Sequence, residues 1–272
     1  MSRISPTIAA AKAAKRKLLI PYLVAGDPDF HLTLMLMHQL VKDGADIIEL
    51  GVPFSDPSSD GPVIQLGGER ALASGASLHK VLDLVAEFRQ TDSDTPLVLM
   101  GYLNPVEIMG YEKFVEKAKQ CGVDGVLLVD MPPAESTLLH KMLREVDIDT
   151  IYLVAPTTSE ARAKTIVSHT SGYLYYVSLK GVTGAAVSDY SSVSDSLGRL
   201  RTLTDLPIVV GFGIKDSESA AAMAVNADGV VIGSALVSEI AKIPAGTTKE
   251  SFHPAATTAM IADVRKTLDT LD

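Results

Sequence analysis

Eight short, almost unbroken apolar runs punctuate the chain: Leu18 to Val24, Asp46 to Leu50, Pro96 to Met100, Gly125 to Val129, Asp149 to Val154, Tyr173 to Ser178, Pro207 to Val210 and Gly229 to Ile232. Strands this apolar are buried on both faces, as in a parallel sheet covered by helices. The stretches between them predict helices over about 31–43, 78–90, 111–120, 159–168 and 217–225, with others ending near Glu145 and Leu203. Gly44 terminates the first of these. A short helix is expected after Gly233-Ser234 and a last one over about 257–271. Ahead of the first strand, Ser5 to Arg16 reads as an extra helix, with Ser5 as N-cap and Pro6 at the first helical position. The stretch from Gly51 to the helix at Leu78 reads as a long loop, because Pro53, Pro57, Gly61 and Pro62 interrupt it.

Strand and helix alternating eight times with right-handed crossovers favour a closed (β/α)8 TIM barrel of class α/β. It would carry the extra N-terminal helix and a short extra helix after the eighth strand. An open doubly wound sheet is the alternative; it would leave edge strands to protect, and no GxGxxG follows the first strand. Without a composition break to mark a linker, residues 1–272 are expected to form one domain.

Composition narrows the function. With 272 residues, 47% of them hydrophobic, the chain is large enough for one barrel core. A net charge of −9 argues against nucleic acid or an anionic membrane as a partner, so any phosphate bound here must be held locally. The single Cys121 excludes an internal disulfide framework and any multi-cysteine metal site. No run of about 18 apolar residues occurs and the N-terminus lacks a secretory pattern, so a soluble cytoplasmic protein is expected.

Active residues of a barrel lie at the C-terminal ends of its strands. There the second strand carries Glu49, and the loop beyond it carries Asp56 and Asp60. A carboxylate closing an apolar strand costs free energy unless the site uses it, although Glu49 can also serve simply by accepting backbone hydrogen bonds. Glycine-rich turns follow strands six, seven and eight, at Gly181 to Gly184, at Gly211 and Gly213, and at Gly233-Ser234. Their amides suit a phosphate, the last pair opening a helix. The long small-residue loop Leu179 to Ser192 has the character of a lid. Alternation puts Tyr173, Tyr175 and Val177 on one face of strand six and Leu174, Tyr176 and Ser178 on the other, without saying which faces the barrel. The six histidines fall in helices or at strand beginnings, away from ligand positions, so no metal is expected. Neither Lys17 nor Lys180 sits where a Schiff-base lysine would. What remains is proton transfer by a carboxylate on a phosphorylated substrate that supplies its own electron sink.

The stretches ELGVPFSDPSSDGPVIQ, GYLNP, VDMPP, YYVSLKGVTGA, GFGI and IGSALV together resemble the tryptophan synthase alpha subunit family, in register over essentially the whole chain. The resemblance implies a barrel that cleaves indole-3-glycerol phosphate to indole and glyceraldehyde 3-phosphate without a cofactor of its own. It implies a partner, the beta subunit, which holds pyridoxal phosphate and receives indole in an α2β2 complex. By the same resemblance, Glu49 is the acid/base, Asp60 stabilises the indole N–H, and Tyr175 and the loop residue Thr183 help to position them. Gly184, Gly213, Gly233 and Ser234 would hold the phosphate. Tyr22, Met100, Leu127, Phe212 and Ile232 would line the indole pocket, and Asp56, Pro57 and Asn104-Pro105 would meet the partner. The chain departs from the family's usual Phe at Tyr22, Leu at Met100, Leu-Ala at Ser58-Ser59 and, in several members, Arg at Leu179. Competing readings are another phosphate-binding barrel, such as indole-3-glycerol-phosphate synthase or a phosphoribosyl isomerase, which would need a strand-end lysine, and an interaction subunit with negligible activity of its own.

Overall fold

The computed structural model describes residues 2–177, 190–211 and 213–271. Helix α1 (Ile4–Ala13) precedes β1 (Leu18–Val24), α2 (Phe30–Lys42) and β2 (Ile48–Gly51). Two helices, α3 (Pro62–Ala73) and α4 (Leu78–Phe88), separate β2 from β3 (Leu97–Gly101), and two more, α5 (Leu103–Met109) and α6 (Tyr111–Cys121), lead to β4 (Gly125–Leu128). Then come α7 (Thr137–Glu145), β5 (Asp149–Thr150), β6 (Tyr152–Val154), α8 (Glu160–His169), β7 (Leu174–Val177) and α9 (Tyr190–Arg201). The series ends with β8 (Ile208–Gly211), α10 (Ser217–Ala224), β9 (Gly229–Ile232), α11 (Ser234–Ile240) and α12 (Pro254–Leu268).

All strand pairs are parallel, in the order β5-β4-β3-β2-β1-β9-β8-β7-β6. Since β5 and β6 are two halves of one stretch broken at Ile151, the first pairing β4 and the second β7, the sheet closes into the expected eight-membered TIM barrel. Two helices occupy stretches expected to be loop. Pro62 opens α3 rather than forbidding it, because a proline in the first turn gives up an N–H that has no partner there anyway. The second is α5, which runs through Asn104-Pro105. At the other end, α1 begins at Ile4 with Arg3 as its N-cap residue, not with Ser5.

Strand alternation sorts the apolar residues into two layers. Leu19, Leu23, Leu50, Leu99, Tyr176, Val210 and Ile232 belong to the layer between strands and helices. Ile20, Tyr22, Val98, Leu127, Tyr173, Tyr175, Val209 and Val231 fill the barrel, with Ile4 and Ala11 of α1 among them. Helix α1 thus plugs the N-terminal end: a Cβ at Gly125 would stand 3.0 Å from Ile4 Cδ1.

That end is also pinned by a repeated polar device. Asp46, Asp124 and Asp228 each accept the N–H of a neighbouring strand, from Leu19 at 2.8 Å, Leu97 at 2.9 Å and Ile208 at 2.7 Å. Arginines answer the charges: Arg16 and Arg265 pair with Asp46, Arg3 and Arg89 with Asp124, and Arg201 with Asp228. A buried carboxylate is tolerated when paired and fully hydrogen-bonded in this way. With one end plugged and cross-linked, the opposite mouth is left for chemistry.

Candidate active site

At that mouth Glu49 turns inward from β2 and is fully buried. Tyr173 Oη donates to its Oε1 at 2.6 Å, while Oε2 has no hydrogen-bond partner among the described residues. Burial pushes the carboxyl up to about 7, against the smaller opposing effect of the Tyr173 hydrogen bond. A carboxyl poised there can donate and accept a proton at neutral pH. Asp60, in the loop between β2 and α3, is half-buried and pushed by burial to about 6, with a hydrogen bond from Tyr102 acting the other way.

Tyr102, which follows β3, ties that loop down. Its hydroxyl accepts from Ser59 N–H at 3.0 Å, its ring lies 5.3 Å from that of Phe54, and its own titration is pushed to about 12. The far end of the loop is anchored through α3, whose Arg70 makes a two-pronged ion pair, both contacts at 2.8 Å, with the buried Asp27 beyond β1. Burial nonetheless raises Asp27 above the usual carboxylate range, the Arg70 hydrogen bond opposing it.

Two further phenols face the interior. The ring of Tyr22 leans over Gly51 and that of Tyr175 over Gly211, so closely that a Cβ would stand 2.2 Å and 2.0 Å from the respective hydroxyl oxygens. Only glycine admits them. Burial, then the nearby Glu49 charge, raises the Tyr175 hydroxyl well above its ordinary value. Two of the glycine-rich turns lie around the same rim: Gly213 follows β8 with a φ of 75°, and Gly233 precedes α11, which starts at Ser234 without a side-chain cap. The first-turn amides of α11 therefore have no intrahelical partner.

Of the residues expected at the site, Glu49, Tyr22, Tyr175, Met100 and Leu127 point into or pack against the barrel interior. Ile232 does not. It lies in the helix-facing layer, and the inward position is its neighbour Val231. The expectation is one residue out of phase, which in a strand reverses the face. Thr183, Gly184, Phe212, Leu179 and Lys180 lie outside the described residues. The sequence does not single out Tyr173 as catalytic, nor Tyr102 or the Asp27–Arg70 pair. Tyr173 shares the face of Tyr175, the one signal that would have found it. Lys17 is spent at the closed end, its Nζ donating to Ala227 O at 2.9 Å. Among the described residues no three His, Cys, Asp or Glu side chains lie together as a metal site would require, and no helix is long and apolar enough to cross a membrane.

Comparison with known proteins gives the site its context. The tryptophan synthase alpha chain from Methylococcus capsulatus is 57% identical over 241 residues, 89% of this chain and 90% of the relative. The one from Marinobacter nauticus is 52% identical over 271 residues, covering 100% and 99%. The crystal structure of tryptophan synthase subunit alpha from Legionella pneumophila superimposes with a TM-score of 0.91 at 43% identity, both chains being covered completely. The family model described as tryptophan synthase alpha chain matches residues 8–266, and the chain belongs to that family.

Proposed function

We propose how the side chains at this mouth carry out the family's alpha reaction, in which indole-3-glycerol phosphate is cleaved to indole and glyceraldehyde 3-phosphate. The chain is thus a carbon–carbon lyase of tryptophan biosynthesis. Glu49 protonates C3 of the ring, which places positive charge on the indole nitrogen. Asp60 meets that N–H, so its attraction grows as the charge develops and favours the transition state over the ground state. Glu49 then takes the proton of the adjacent hydroxyl. The O–H pair becomes the carbonyl of the aldehyde, the C–C bond breaks, and its electrons return to the ring. Indole is the electron sink.

Tyr175 helps to position the reacting groups, and Gly213, Gly233 and Ser234, with Gly184 and the loop residue Thr183, complete the assignment at the phosphate and the lid. Tyr22, Met100, Leu127 and Phe212 line the ring pocket, with Val231 in place of Ile232. The observation that supports this reading best is the buried Glu49, one oxygen held by Tyr173 and the other free among the described residues.

As an alpha chain it has a beta partner. We assign the pyridoxal phosphate to that partner, an α2β2 stoichiometry to the complex and the cytoplasm as its place. The contact surface would be the exposed Asp56 and Asn104 with Pro57 and Pro105; Ile108, one turn beyond Asn104 on α5, is 80% exposed. The test is indole release by the purified chain, alone and with the beta chain. Weak cleavage that rises with the partner is expected. Glu49→Gln should abolish it and leave affinity for a phosphate-bearing ligand nearly intact, and an equal loss of both would make Glu49 merely structural.

A further inference from the structure

Tyr22 sits opposite Glu49 in the β1–β2 register, and both side chains enter the barrel. Its ring reaches toward the mouth and lies on Gly51, the next inward position beyond Glu49 on β2. On its other flank, a Cβ at Gly233 would come within 3.5 Å of the ring. The phenol is therefore wedged between the ends of β2 and β9, with its oxygen one inward position closer to the mouth than Glu49.

The residue is only 9% exposed and no group among the described residues hydrogen-bonds its hydroxyl, but that oxygen is not one of the fully buried atoms left without a partner, so it retains open space at the mouth. A phenylalanine would fill the same wedge, so packing does not account for the hydroxyl. Nearby groups say which way the hydroxyl works. Asp60 and Glu49 add their negative charge to the effect of burial and keep the phenol protonated, so it has a hydrogen to give. The space it faces is where a molecule must lie to exchange a proton with Glu49.

We propose that Tyr22 is a substrate-contacting specificity residue whose phenolic hydroxyl donates a hydrogen bond to the carbinol oxygen adjoining the indole ring. This rests on the cleavage reading above. The same oxygen gives its proton to Glu49 and becomes the aldehyde oxygen, so a donor already in place stabilises the charge that develops as the proton leaves. No atoms are transferred to or from Tyr22.

The test is Tyr22→Phe, which removes one oxygen and keeps the ring between Gly51 and Gly233. Indole release is measured with the beta chain present, and so is the dissociation constant of 3-indolylpropyl phosphate, which has no carbinol oxygen. The expected result is a fall in kcat/KM of about tenfold, the scale of one hydrogen bond, with the deoxy ligand's affinity changed less than about twofold. An unchanged kcat/KM overturns the proposal, because the hydroxyl would then be idle. A parallel loss for both compounds also overturns it, since the ring alone would matter. If the wild-type complex releases no indole, the cleavage reading itself fails and this one with it; release by wild type with an indifferent Tyr22→Phe removes the Tyr22 role alone.

Discussion

A carboxyl held at about 7 where the ordinary value is 4.5 makes Glu49 a liability for folding, and replacing it with Gln tests that directly. Below about pH 4.5 the group is protonated in both the folded and the unfolded chain and has no pH-dependent effect on stability. As pH rises, the unfolded chain ionises first. The folded state then loses about 1.4 kcal/mol per pH unit until Glu49 itself ionises near 7, after which the loss stays constant at about 3 kcal/mol. The amide of the variant cannot titrate. The stability of Glu49→Gln relative to wild type should therefore improve by about 2–3 kcal/mol between about pH 5 and about pH 8, while indole release is abolished. Urea unfolding at several pH values, with an indole assay on the same preparations, measures both. A stability difference that does not vary with pH would mean that Glu49 is not held protonated by burial, and the acid/base assignment would lose its physical basis.

Three other substitutions probe the surroundings. Tyr173→Phe removes the hydrogen bond that favours the charged form of Glu49, so the ionisation it governs in the pH profile of kcat/KM should move upward by about one unit; an unmoved profile would show the 2.6 Å contact to be electrostatically idle. Gly211→Ala places a methyl on the Tyr175 hydroxyl, and activity should fall at least about tenfold with a crystal structure showing the ring displaced; full activity would mean that the ring's position is immaterial. Asp124→Ala strands Arg3 and Arg89 and the Leu97 amide at the closed end, and should lower stability by about 3–5 kcal/mol in urea unfolding without altering kcat at a temperature where the variant is folded.

The apolar runs were legible as strands because a barrel buries both of their faces, and the same property hid which face was which. With polar residues absent from both sides of β9, nothing in the residues Gly229 to Ile232 themselves separates Val231 from Ile232. On β7, alternation groups Tyr173 with Tyr175 but leaves their direction open until the fold places Tyr176 under the helices. Polar atoms carry the information that apolar ones do not: Glu49 can be chosen from the sequence because a charge in such a strand needs a reason. Prolines mislead where position matters more than identity, since Pro62 ends nothing and opens α3, and that helix brings Arg70 back to Asp27 and holds the Asp60 loop against the mouth.

The phase of β9 is in fact recoverable. Its chemistry assigns Gly233 to the rim, and strand periodicity puts the residue two before it on the same face. In the structure Gly229 packs against the inward Leu18, Val231 is inward, and Gly233 approaches Tyr22. Once one residue of an apolar strand is tied to the site by its chemistry, counting in twos from it decides the rest. The same count from Glu49 leads to Gly51, where the absence of a side chain makes room for the Tyr22 hydroxyl. Conformational freedom does not explain that glycine, whose backbone lies in the ordinary strand region. It is there because a phenol on the neighbouring strand occupies the volume a Cβ would fill.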